Sequence, residues 1–369
     1  LLLQNREENR EKLMKIGLIG LPNSGKTTVF NALTKAHATV TAYTDCKAKP
    51  NLAVVDVIDD RVTSLSKMYN PKKTVHATIE LTDFVGLSQG SVKDGLFSST
   101  SLALMKNSDA LALVVRNFPD AAGDPPAPLE DIATIKDELL ISDMIVAENR
   151  LERIEKAYKR GKKTYILEME EKTLRDIVAH VSNDGWIRDL DLDGDQEKII
   201  RGFQFLTQKP FMIILNSDET LFGNNQDILR EIEKQNSVIE FAGKFEMELA
   251  RLTDEDDVKL FMEDMGTQES ARQRLTCLAY KTLGYISFFT VGSDEVRAWN
   301  IVHGNTAVKA AETIHTDLAR GFIRAECFSC DDLMQCGSEK GVREDGHFHL
   351  EGKDYIVRDG DVMNIRFHV

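Results

Sequence analysis

The residues best suited to chemistry stand near the amino-terminal end, in Gly20-Leu-Pro-Asn-Ser-Gly-Lys-Thr27. The stretch satisfies G-x-x-x-x-G-K-[ST] at Gly20, Gly25, Lys26 and Thr27, and it stands between an apolar run at 16–19 and a helical pattern at 27–35. That setting is what the motif needs. Glycines let the backbone curl so that successive N–H groups face inward, and a helix start adds its positive dipole end to the same point. Asn23, Ser24, Gly25, Lys26, Thr27 and Thr28 are therefore expected to wrap the phosphates of a purine nucleoside triphosphate. Lys26 would reach the β and γ phosphates and Thr27 would ligate Mg2+. The chemistry implied is transfer of the γ-phosphoryl group to water.

Two further constellations belong to such a site. Thr82-Asp83-Phe84-Val85-Gly86 closes a predicted strand, where a second magnesium-side carboxylate (Asp83) and a γ-phosphate-sensing glycine (Gly86) are placed in this class. Lys26, Asp83 and Gly86 form the predicted catalytic set, and Thr27 and Asp83 the predicted metal pair. After the apolar run 211–215 comes Asn216-Ser217-Asp218-Glu219, where GTPases usually carry N-K-x-D. Ser217 replaces the lysine whose stem covers the base. Glu219 replaces the aspartate that pairs with guanine, and its extra methylene displaces the fork. A site built for one hydrogen-bond pattern discriminates steeply against its absence, so relaxed base choice or a preference for adenine is predicted. Asn216 would read the base from one edge, with a weaker role for Glu219. A plain turn capped by Asn216 and Asp218 is the simpler alternative.

The elements that must position these residues can be read from periodicity. Short apolar runs at 16–19, 52–57, 78–81 and 110–115 alternate with helical patterns, which argues for a parallel sheet wrapped by helices. The runs 211–215 and 238–241 look like its continuation, so the stretch between Pro119 and Pro210 must be an insertion. Within it Leu140, Met144, Ala147, Leu151, Ile154 and Tyr158 recur at alternating spacings of four and three, and Leu167, Leu174, Val178 and Val181 follow a turn at 159–162. An antiparallel helical hairpin is predicted. Either it is a projecting arm for a partner, with the charged face in contact, or its seam only holds two helices together. From near Thr276 the pattern changes to short β-like runs (287–291, 354–357), glycine turns and one evident helix at 306–313, a small α+β module.

Composition narrows the class of function. The chain has 369 residues, too many for one ordinary core, so two or three domains are expected. Its apolar runs fall far short of the ~20 residues that span a bilayer, and no membrane role is expected. A net charge of −14 argues against broad nonspecific binding to nucleic acid, and no DNA specificity is expected. The 46 lysines and arginines can still cluster into a local docking face for RNA or an acidic protein. Residues 1–13 lack the features of a secretory signal and are set aside as a leader or extension. Five cysteines, an odd number, fit a reduced cytoplasmic compartment.

Taken together, Lys15-Ile-Gly-Leu-Ile-Gly-Leu-Pro-Asn-Ser-Gly-Lys-Thr-Thr28, Asp83-x-x-Gly86-Leu87, the hairpin insertion and Asn216-x-x-Glu219 resemble the Obg-related YchF proteins, also called Obg-like ATPases. The tail is the most specific part. Glu295-Val-Arg-Ala-Trp299, Ile314-His-Thr-Asp317, Gly321-Phe-Ile-Arg-Ala-Glu326 and the run 351–363 look like the YchF carboxy-terminal TGS region. The resemblance implies an α/β P-loop NTPase with a Ras-like G domain, an inserted α-helical hairpin and a TGS domain, an α+β module of the ubiquitin-like β-grasp type. The boundaries are 1–13 for the extension, 14–119 and 208–275 for the two parts of the G domain, 120–207 for the insertion and 276–369 for TGS. The implied activity is slow Mg2+-dependent hydrolysis of ATP, with GTP as the alternative substrate, in a cytoplasmic protein that docks on ribosomes or RNA through TGS and the hairpin.

The sequence departs from the family pattern at two places, and a third feature bears on turnover. Lys47 stands where the family carries a threonine in the loop before the second strand, and the stretch 90–99 has fewer glycines than usual. These departures point to a divergent paralogue. Leu87 follows the D-x-x-G glycine, where Ras-like enzymes place a water-orienting glutamine, and leucine has no hydrogen-bonding group. A partner, K+ or a rearranged loop would have to supply one. Three readings stay open from the residues: an enzyme, a nucleotide-binding ribosome or RNA scaffold with vestigial hydrolysis, and a GTP switch. Cys327-x-x-Cys330 with Cys336, His347 and His349 lacks the second closely spaced ligand pair of a zinc site and reads better as buried or half-buried thiols. His315 beside Asp317 has no nucleophile placed with it.

Overall fold

The computed structural model describes residues 14–34, 50–84, 97, 99–252, 254–267 and 269–368. Its strands are β1 Met14–Ile19, β2 Asn51–Asp56, β3 Lys73–Val75, β4 Thr78–Asp83, β5 Ala110–Asn117, β6 Phe211–Ser217, β7 Ser237–Phe241, β8 Tyr285–Thr290, β9 Glu295–Val302, β10 Phe322–Ser329, β11 His349–Glu351 and β12 Asp361–Phe367. They form two sheets, in the orders β2-β4-β1-β5-β6-β7 and β11-β10-β12-β8-β9-β3. Contacts divide the chain into two compact units, one of Lys15–Ala53 with Glu80–Ala271 and the other chiefly of Val54–Ile79 with Arg272–Val369.

In the first unit β1, β5, β6 and β7 run parallel, with Ile16 opposite Ala110, Leu111 opposite Phe211 and Met212 opposite Ser237. Parallel strands are covered on both faces, which is why they read as unbroken apolar runs. All seven residues of β6 are buried. Ile19, Leu113, Ile213 and Leu215 form its core with Trp186 and Leu206. Strand order and direction are those of a P-loop GTPase-type domain, so the phosphate loop leaves β1 at the carboxyl edge where such sheets bind ligands.

The insertion is the predicted hairpin, built from the helices Pro128–Lys159 and Tyr165–Val181. Leu140, Ala147 and Ile154 bury against Leu174, Ile177 and Val181, with Met144, Leu151 and Tyr158 packed at the edge of the seam. Arg150 grips Glu170 across the seam with two bonds of 2.7 and 2.8 Å. At its base the buried Asp143 accepts from the backbone of Leu206 (2.9 Å) and from the backbone and hydroxyl of Thr207 (both 2.7 Å).

The second unit has the β-grasp arrangement. The antiparallel pair β8–β9 is followed by the helix Ala307–Ile314, and β12 returns parallel to β8 and antiparallel to β10. The apolar run 354–357, read as a strand, makes only an isolated bridge from Ile356 to Thr306, and the helices Thr316–Arg320, Cys330–Cys336 and Glu339–Glu344 add to the one foreseen. Strand β3 pairs in parallel with β9, Lys73 opposite Glu295. The linear boundaries had placed β3 and the helix Asp60–Tyr69 in the first part of the G domain, whereas contacts group Val54–Ile79 with the carboxy-terminal residues. Among the described residues no helix is long and apolar enough to cross a membrane.

Candidate active site

The phosphate loop owes its shape to a few backbone positions. Gly20 has φ +152° and Gly25 φ +88°, and a Cβ on either would come within 2.3 Å of Val114 O or 2.2 Å of Asn216 Nδ2. Only glycine fits. Asn23, at φ 61°, adopts the left-handed region that Asn tolerates better than most side chains, and it is exposed at the loop's crest. Ser24 is buried, and its hydroxyl has no hydrogen-bond partner among the described residues.

Lys26 opens the helix Lys26–Thr34 and folds back over the loop, donating to Gly20 O at 2.8 Å and Leu21 O at 3.0 Å. Burial pushes its ammonium down to about 8 against the opposing pull of Asp83. Beside it Thr27 Oγ1 donates to Asp83 Oδ2 at 3.0 Å, and Asn51 Nδ2 donates to the same oxygen at 3.2 Å. Asp83 is almost wholly buried at the end of β4, and among the described residues its other oxygen, Oδ1, has no hydrogen-bond partner. A buried carboxylate oxygen without a donor is costly unless a cation or donor completes it. A hydroxyl and a carboxylate side by side are the hard oxygen donors that suit Mg2+, which binds through few protein ligands together with substrate phosphates. Thr27 and Asp83 thus fit the metal role read from the sequence. Asn51 was not foreseen in it: its amide lies within reach only because β2 and β4 are neighbours, which no local pattern announces.

The structure adds a bracing role to Asn216, the residue expected to face the base. Its side chain is buried, with Nδ2 donating to Ser24 O at 3.0 Å and Oδ1 accepting from Gly243 N at 3.2 Å. Each end of the amide is committed to backbone, so Asn216 braces the phosphate loop against the start of the helix Gly243–Leu249. Thr28 lies at the same junction, its methyl 3.2 Å from where a Cβ on Gly243 would stand. Glu219 is exposed. Asp218 accepts from Thr220 N and Oγ1 at 3.1 and 2.9 Å, which holds its carboxyl below the usual range and makes the turn that carries Glu219. Gly86, Lys47 and Leu87 lie outside the described residues.

A row of polar side chains across the carboxyl ends of β5, β6 and β7 was also missed. Ser217 Oγ donates to Glu240 Oε1 at 2.7 Å and accepts from Asn117 Nδ2 at 3.0 Å, while Asn225 Nδ2 donates to Glu240. Its only sequence signal is that three apolar strands close on or beside polar residues, Arg116-Asn117, Asn216-Ser217 and Glu240.

Comparison with known proteins gives the family. A family model described as "50S ribosome-binding GTPase" matches residues 15–150, and the YchF GTPase carboxy-terminal model, described as a protein of unknown function, matches 285–368. The ribosome-binding ATPase YchF of Haemophilus ducreyi is 40% identical over 364 residues, covering 96% of this chain and 99% of the relative. The chain belongs to the YchF family. The YchF protein of Bacillus subtilis is 36% identical over the same share of each chain. The solved structure of the Schizosaccharomyces pombe YchF GTPase superposes with a TM-score of 0.82 at 30% identity, covering 96% of this chain and 97% of that one. The fold is accordingly a P-loop GTPase-type domain with a carboxy-terminal YchF domain of TGS type, and the likeness runs through both units.

The remaining constellations are structural. Cys327 lies in the β-grasp core, where burial pushes its thiol well above the ordinary range, and burial likewise pushes Cys330, at the head of its helix, up to about 11. His315 Nδ1 accepts from Asp317 N at 3.2 Å and caps the helix Thr316–Arg320.

Proposed function

We propose that this YchF-family chain is a Mg2+-dependent nucleoside triphosphatase that favours ATP over GTP and works on the ribosome. The observation that carries the reading is the pair of Thr27 with the buried Asp83, whose second carboxylate oxygen is unpartnered among the described residues, set beside Lys26 in the phosphate loop. Thr27 and Asp83 would hold the metal, which when bound would neutralise phosphate charge. Nucleotide binding replaces the carbonyls of Gly20 and Leu21 with phosphate oxygens as partners of the Lys26 ammonium. The loop N–H groups and the helix start hold the phosphates in line for attack by water. Asn216 keeps the loop in its curled form. Gly86 would sense the γ-phosphate, as the motif implies.

The ribosome enters from the names of the relatives, which are called ribosome-binding. The hairpin offers a surface of suitable chemistry: Lys159, Arg160, Lys162 and Lys163 ring its tip, and the side chains of Tyr165 and Ile166 are 74% and 68% exposed beside them. Cations engage phosphates, and an exposed aromatic ring can stack on an unpaired base. The adenine preference rests on Ser217 and Glu219 in place of the guanine-reading pair.

ATP turnover measured with and without Mg2+ and ribosomes tests the whole reading. Wild type should turn over slowly alone and faster with ribosomes, and Lys26→Ala should abolish both rates. Turnover that survives Lys26→Ala would contradict the site. Tight Mg2+-dependent binding with no turnover under either condition would favour the scaffold.

A further inference from the structure

We propose that Glu240 is a positioning residue for recognition of the nucleotide base, acting through the buried row Asn117–Ser217–Glu240–Asn225. The inference rests on the ATP-preferring reading above and names what sets that preference. Asn117 and Ser217 are register partners on β5 and β6, and on β7 Glu240 lies opposite Leu215, two residues before Ser217. The row therefore lies at the carboxyl edge of the sheet, where parallel α/β folds bind their ligands, directly beside Asn216 and beneath the loop that carries Glu219.

The carboxylate ties that loop down at several points. Glu240 Oε1 accepts from Ser217 Oγ and from Asn225 Nδ2, and Oε2 accepts from Gly223 N at 3.0 Å. Asn225 Nδ2 also lies 3.3 Å from Ser217 Oγ and donates to Leu221 O at 2.7 Å, and Asp218 N donates to Asn117 O at 3.3 Å. The loop between Ser217 and Asn225 is thus pinned near its start, its end and two points between. All four side chains of the row are no more than 9% exposed. In so dry a setting a carboxylate with convergent donors is rigid, and loss of its charge leaves donors without a partner.

A lysine at position 217 would lay its stem along the base and leave the hydroxyl's place in this row empty. Serine instead turns inward and joins the loop to Glu240. The base-facing backbone of residues 217–220 is then placed from below, and backbone N–H and C=O groups can read the edge of adenine, which presents one acceptor and one donor side by side. Base choice passes through Glu240 without its touching the nucleotide.

The experiment is equilibrium binding of ATP, GTP and inorganic tripolyphosphate, each with Mg2+, to full-length wild type, Glu240→Gln, Ser217→Ala and the double variant. Tripolyphosphate engages the phosphate loop but has no base. Each single variant should weaken ATP by about tenfold and draw the ATP-to-GTP affinity ratio toward one, as loss of a buried charge-assisted hydrogen bond implies. Tripolyphosphate binding should stay within about twofold, and the double variant should lose less than the two single losses combined, because both remove the Ser217–Glu240 contact. An unchanged ATP-to-GTP ratio in both single variants would overturn the proposal, as would tripolyphosphate weakening in step with ATP. Should Glu240→Gln fail to fold, Ser217→Ala, which removes one hydroxyl, carries the same test. If wild type itself prefers GTP, the adenine reading fails. A ratio that still moves in the variants would then uphold the placement of Glu240.

Discussion

Lys26 shows how burial alone prepares a residue for its ligand. Its ammonium is held by two carbonyl oxygens and pushed down to about 8, so near neutral pH the chain keeps a charge it would readily surrender. Phosphates arriving beside it favour the charged form, so the complex holds the proton more tightly than the free chain does. MgATP affinity should therefore be constant below pH 8 and fall roughly tenfold per pH unit above it, until the pH reaches the higher value in the complex. Binding isotherms across that range check the slope, and Lys26→Gln should be flat. The same burial makes the nucleotide-free fold favour the neutral amine, so its stability should rise as pH climbs from about 8 toward the 10.5 of a solvated lysine. At this scale the phosphate loop was fully legible, because its spacing encodes its mechanism. The backbone contacts of Asn216 were not, because Ser24 and Gly243 lie 192 and 27 positions away in sequence and meet it only through the fold.

Among the elements, the hairpin was the easiest to read and its anchor the hardest. Alternating spacings of four and three mark a seam wherever they occur, and the seam residues named from the sequence are those that pack. Asp143 sits on the same helix, where spacing alone does not set it apart from the other charges. Instead it is buried and receives three bonds from Leu206 and Thr207, which fasten the helix Pro128–Lys159 to the segment leading into β6. Asp143→Ala should cost about 3 kcal/mol, as removal of a buried acceptor with three donors implies, and denaturant unfolding of the full chain measures it. Asp143→Asn should recover part of that loss, since an amide oxygen can still accept. A loss below about 0.5 kcal/mol would mean that water satisfies the donors equally well. Strand β3 was missed for a different reason: Lys73-Thr74-Val75 is three residues long, half polar in character and paired with β9, more than two hundred residues away in sequence.

Across the whole molecule, the chain order and the spatial order part company. Linear boundaries follow composition, and composition does not change between β2 and β4. Contacts nevertheless assign Val54–Ile79 to the unit of the β-grasp. The contacts that do so are long-range: Arg61 donates to Asp359 at 2.8 Å while its guanidinium stacks over Phe289, and Tyr69 donates to Glu339 at 2.8 Å. Arg61 also bonds Asp59, which caps its own helix. Arg61→Ala should therefore lower the stability of the unit by about 2 kcal/mol, a loss of stacking together with charge-assisted hydrogen bonds, and thermal unfolding reports it. No change in melting would show that the arginine is dispensable to the unit.

The central claim is that a P-loop site of this family reads adenine in preference to guanine, and the most direct test is competition of ATP and GTP for one labelled nucleotide on the wild-type chain with Mg2+. The account predicts that ATP displaces the label at a lower concentration than GTP does. Displacement by GTP at a concentration roughly tenfold lower, about 1.4 kcal/mol in favour of guanine, would contradict it.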